Sequence, residues 1–137
     1  MKRLLVVTTA VVAAVAGCSP PPPVAVRETA TGSVEIVYTD CDTPAIVRVE
    51  AVTSQDASID DGDPRIWHVD HVEPVHDKVF VIDAKIEPGQ VVWVGITLEG
   101  GVQLGADFTP EDLAGGKVRF HDENMSAEDF AKTTSCG

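Results

Sequence analysis

Apolar and polar residues alternate in short runs over most of the chain, the period-two pattern of half-buried strands. Val34, Ile36 and Tyr38 alternate with polar neighbours and predict a first strand over 33–39. A second is predicted over 45–52, with Val47, Val49 and Ala51 facing away from Arg48 and Glu50. A third, over 65–72, puts Trp67, Val69 and His71 on one face and His68 and Asp70 on the other. Phe80, Ile82, Ala84 and Ile86 share a face of a fourth strand over 79–86. Glu87-Pro88-Gly89-Gln90 then suits a type II turn, with Pro at its second position and Gly at its third. The fifth strand, 91–98, is expected to return as the hairpin partner of the fourth. Sixth and seventh strands are predicted over 102–108 and 117–121. Thr109 and Ser126 are candidate caps for two short helical segments.

Seven short alternating strands with frequent turns predict an all-β antiparallel sandwich, immunoglobulin-like in the broad sense. The cysteine spacing does not fit an antibody-type domain, where the bridge crosses the core. Here Cys41 lies in the turn 40–44 and Cys136 is next to last.

The first residues follow a different pattern. Lys2 and Arg3 precede an apolar run from Leu4 to Val15, broken only by Thr8 and Thr9. Small residues follow, the layout of a secretory signal. The run is about 12 residues, against roughly 20 for a membrane-spanning helix. Val15-Ala16-Gly17-Cys18 resembles the bacterial lipobox, with Val15 where Leu is commoner. The resemblance covers the first 18 residues alone. It implies cleavage between Gly17 and Cys18 and a diacylglycerol on the Cys18 thiol. The expected product is a lipoprotein on the extracytoplasmic face of the cell membrane, with the membrane itself as one partner. The Ala/Val/Asp-rich composition resembles that of actinobacterial chains. Ser19 and the prolines 20–23 favour polyproline II, so 18–31 is expected to be a tether lifting the domain by about 40 Å. The domains are then 1–17 as signal, 18–31 as tether and 32–137 as one sandwich.

Charge and cysteine count narrow the function. The chain has 10 basic and 22 acidic residues, a formal charge of −12. Removing Lys2 and Arg3 with the signal leaves 8 against 22, or −14. A chain this acidic has no electrostatic means of holding nucleic acid by its phosphates. With Cys18 acylated, Cys41 and Cys136 remain, and an even pair in an exported chain predicts one disulfide.

Three groups of residues carry candidate chemistry. His68, Asp70, His71, Glu73, His76 and Asp77 include zinc and copper ligand types. Of these, His68, Asp70 and His76 are the metal candidates, although strand alternation separates His68 from His71. Asp56, Asp60, Asp61 and Asp63 surround Gly62 in an acidic loop, with spacing unlike the EF-hand. Trp67 is expected in the core. Trp93 falls opposite Val92, Val94 and Ile96, and is the candidate binding surface. Motifs for nucleophilic catalysis, phosphate loops and cofactor binding are absent from the sequence, and no cofactor is implied. The preferred reading is a non-enzymatic binding or accessory domain for an envelope protein, glycan or small ligand. A metal-binding lipoprotein using 68–77 is the alternative, and an envelope hydrolase the third.

Overall fold

The computed structural model describes residues 22–54 and 64–136. The lipobox, Cys18 and the aspartates of the acidic loop lie outside the described residues. Two antiparallel sheets face each other, so the protein is an all-β sandwich. Among the described residues there are nine strands rather than about seven. They are β1 (Val24–Glu28), β2 (Val34–Tyr38), β3 (Ile46–Ser54), β4 (Arg65–Val75), β5 (Val79–Ile82), β6 (Val91–Leu98), β7 (Gln103–Phe108), β8 (Val118–Phe120) and β9 (Glu123–Met125). A short 3-10 segment (Pro110–Gly116) joins β7 to β8, and helix α1 (Ala127–Thr133) closes the chain. One sheet has the order β5-β2-β1-β8-β9, the other β4-β3-β6-β7.

The expected tether is corrected by β1. Residues 24–28 form a strand between β2 and β8, not a linker, and Val24, Ala25 and Val26 are all buried. The alternation that marks a strand is missing here because both faces are covered. Val24 and Val26 enter the main core, while Ala25 joins Phe120, Val118 and Phe130 in a second cluster beneath α1. The folded domain therefore includes β1 and does not begin at residue 32.

The predicted hairpin is also corrected. β5 pairs with β2 in one sheet, whereas β6 pairs with β3 and β7 in the other. Periodicity identified the inward faces: Phe80, Ile82, Ala84 and Ile86 all pack against the main core. It carries no information about which strand lies alongside, and the segment instead crosses between sheets. The turn itself is present, with the Gln90 N–H donating to the Glu87 carbonyl at 3.2 Å and Gly89 at φ 77°. A positive φ at the third position is what selects glycine there.

The strand registers define two ends of the sandwich. At one end lie Val24, Tyr38, the turn 39–45, the start of β5 and the β6–β7 turn. The β8–β9 turn and Cys136 are at this end too. Cys41 and Cys136 are at bonding distance, 1.98 Å between sulfurs. The bridge fastens the segment after α1 to the 39–45 turn, as the cysteine count predicts. At the opposite end are the loops 29–33 and 83–90 and the 3-10 segment.

Candidate functional site

The outer face of the four-stranded sheet carries the most organised group of side chains. In β6, Val92, Val94 and Ile96 are fully buried between the sheets, so Trp93 and Gly95 project outward. Register brings Trp93 opposite Asp107 and Gly95 opposite Gly105 on β7. The indole lies flat across both glycines. A Cβ at either Gly95 or Gly105 would overlap its ring atoms. The two glycines therefore make a trough, and Trp93 fills it with one ring face inward, half-buried.

Beside this trough sits Glu50, which β3 places opposite Gly95. It is only 7% exposed although it faces outward. Arg65 Nε donates to Glu50 Oε2 at 3.0 Å, and Gln103 Nε2 donates to Oε1 at 3.0 Å. A carboxylate this sheltered is tolerated only when its oxygens are paired. One row further along, Arg48 Nε bonds Asp70 Oδ1 on β4. The Arg48 guanidinium holds the Asp70 carboxyl below the usual carboxylate range, chiefly through that hydrogen bond. The face thus combines one flat aromatic surface with planar polar groups engaged with each other.

The metal candidates do not converge. His68 and Asp70 share the outer face, with His68 Nε2 3.8 Å from Asp70 Oδ2. His76 is held at the disulfide end by the Pro44 carbonyl, 2.7 Å from its Nδ1, which must carry the proton to donate to that oxygen. His71 is half-buried, and its Nε2 has no hydrogen-bond partner among the described residues. Among the described residues, no three His, Cys, Asp or Glu side chains form a group that could hold a metal ion. Trp67 pairs with Ala51 and packs against the main core.

Concavities lie elsewhere among the described residues. A cleft of about 560 Å³ opens at the end opposite the disulfide, lined among others by Val34, Ile82, Ala84, Lys85, Ile86 and Leu113. A smaller one of about 310 Å³ lies beside Cys41, Phe120 and His121. No helix of the described residues is long and apolar enough to cross a membrane.

Sequence reasoning found Trp93 but missed Glu50, Arg65, Gln103 and the two glycines. One signal was available: Trp at one position, Gly two further on, and Gly again in the adjoining strand segment. The shelter of Glu50 depends on diagonal neighbours from β4 and β7, which alternation along β3 does not reveal. No protein-family model, curated protein or solved structure matches this chain.

Proposed function

We propose that the protein is a lipid-anchored envelope lipoprotein whose sandwich is a non-enzymatic binding or accessory domain. The contact surface is the outer face of the four-stranded sheet, centred on Trp93. One observation carries this reading: the indole is held flat on Gly95 and Gly105 with a ring face left toward solvent. A large aromatic surface whose orientation is set before contact loses little conformational entropy on binding. The flanking groups support binding rather than turnover, since Glu50, Arg65 and Gln103 already satisfy one another. Anchoring rests on the resemblance of Val15-Ala16-Gly17-Cys18 to the lipobox, and places the domain at the extracytoplasmic face of the cell membrane.

Two measurements test the reading. Cys18→Ala is expected to abolish metabolic acyl labelling, and undiminished labelling overturns the anchor. Capture of partners from detergent-solubilised membranes is then compared for the native protein, Trp93→Ala and His68→Ala, each checked for retained fold by near-ultraviolet circular dichroism. The expected result is loss of the captured partner with Trp93→Ala and retention with His68→Ala. The reverse pattern moves the contact to the histidine-bearing edge.

A further inference from the structure

The position of β1 fixes more than the domain boundary. Cys18 and Val24 are six positions apart. Six residues span at most roughly 20 Å even when fully extended. If Cys18 carries the lipid, as the proposed function holds, the end of the sandwich where β1 starts is kept within that distance of the bilayer. That is the disulfide end.

The same end carries exposed apolar side chains. Val79 opens β5 there and is 45% exposed, and Val102 in the β6–β7 turn is 57% exposed. Val72 is fully exposed. It lies where β4 swings away from β3 over 71–74, just before Val75 returns to pair with Ile46. Of the five large exposed apolar residues among the described ones, only Val69 and Val81 lie further from this end.

We infer that the anchored domain stands on the bilayer by its disulfide end, with Val72, Val79 and Val102 at the headgroup boundary and the 560 Å³ cleft facing away. Asp40, Asp42 and Asp122 are at the same end, so anionic headgroups repel it. The short tether outweighs that repulsion by holding the local concentration of bilayer high. Three separated valines do not bind a membrane unaided. The outer face with Trp93 then stands roughly along the membrane normal, open to partners from the side.

The test uses the native acylated protein, isotope-labelled and inserted into phosphatidylcholine nanodiscs containing a lipid with a nitroxide headgroup. Amide signals of Asp42, Asp77, Gly101 and Asp122 are expected to lose intensity, while those of Gly32, Gly89 and Gly115 keep it. Loss confined to the second group, loss spread evenly, or no loss in an acylated sample overturns the orientation. Intact mass of the same sample reports acylation separately. An unmodified Cys18 defeats the anchoring reading itself, and the orientation with it. The mature chain from residue 18 with Cys18→Ala, which lacks the apolar run 4–15, is added to the same nanodiscs and is expected to show no loss at any of these amides. Loss at the first group in that variant means that the end binds lipid without the tether, which overturns the role given to its length.

Discussion

Trp93 and the two glycines beneath it behave as one unit, so a change to either side is felt by the other. Gly105→Ala drives a methyl group into the indole, and the ring must lift from the sheet. Overpacking of this kind costs about 1–3 kcal/mol. In a Trp93→Ala background the methyl meets open space, and most of that cost is expected to vanish. Urea denaturation of the four proteins in the cycle measures the coupling. Equal costs in both backgrounds would show that the ring does not rest where the structure puts it. Tyr38 offers a second residue-scale test because it is the sole tyrosine. Burial is the main cause, and the hydrogen bond its hydroxyl donates to Asp42 at 3.0 Å adds to it, pushing its pKa up to about 12. The ordinary value near 10 applies to the unfolded chain. Folding thus favours the neutral phenol. That contribution is complete below about pH 10 and is lost as pH rises towards 12. Ultraviolet titration should give a midpoint near 12 in buffer and near 10 in denaturant. Coincident midpoints would contradict the burial of Tyr38.

At the scale of elements, α1 depends on contacts at both of its ends. Ser126 caps it by accepting from the Asp129 N–H at 3.1 Å, and Phe130 seals Ala25, Val118 and Phe120 from solvent. Phe130 meets Phe120 edge-on, with ring centroids 5.5 Å apart. Seven residues are too few for a helix to persist by itself. The Cys41–Cys136 link and this one aromatic contact therefore hold it. Cys136→Ser paired with Cys41→Ser is expected to cost about 2–5 kcal/mol. Amide exchange in α1 should accelerate more than in β6, whose two neighbouring strands remain. Uniform acceleration would mean that the bridge stabilises the whole domain alone. The elements also show what alternation does and does not reveal. The inward faces of β2 and β6 were readable because one side of each is dry. In β3, by contrast, a register irregularity puts Ile46 in the core in place of the expected Val47, and the apolar side of β8 faces α1. β1 was not readable, because α1 and the second cluster remove its polar side. The Gly89 turn was readable from its residues. The partners of the strands it joins were not, since two sheets of one sandwich present the same pattern. Glu50 was invisible as a site residue for a related reason: three other strands shelter it.

For the whole molecule, the edges of the sheets are the exposed liability. β4 and β5 are unpaired on one side, with Val69, Val72, Val79 and Val81 exposed along them. The departure of β4 from β3 over 71–74 and Pro74 within it interrupt the row of free backbone groups. Such interruptions discourage pairing with another chain. Pro74→Thr is expected to leave the monomer folded and raise its tendency to associate, read by light scattering over time. Unchanged scattering would show that the β4 departure suffices without the proline. The place of β1 has a consequence for the order of events during synthesis. β1 is the first of the described strands to emerge, yet it lies in the middle of its sheet and needs β8, some ninety residues later, as its second neighbour. Loops that long close slowly, and contacts of such separation delay folding. A nascent chain stopped before Val118 thus has a half-made sheet with Val26 and Ala25 uncovered on one flank. The completed sandwich can appear only once β8 is available, so the polypeptide stays threadable until some ninety residues after β1 have been made.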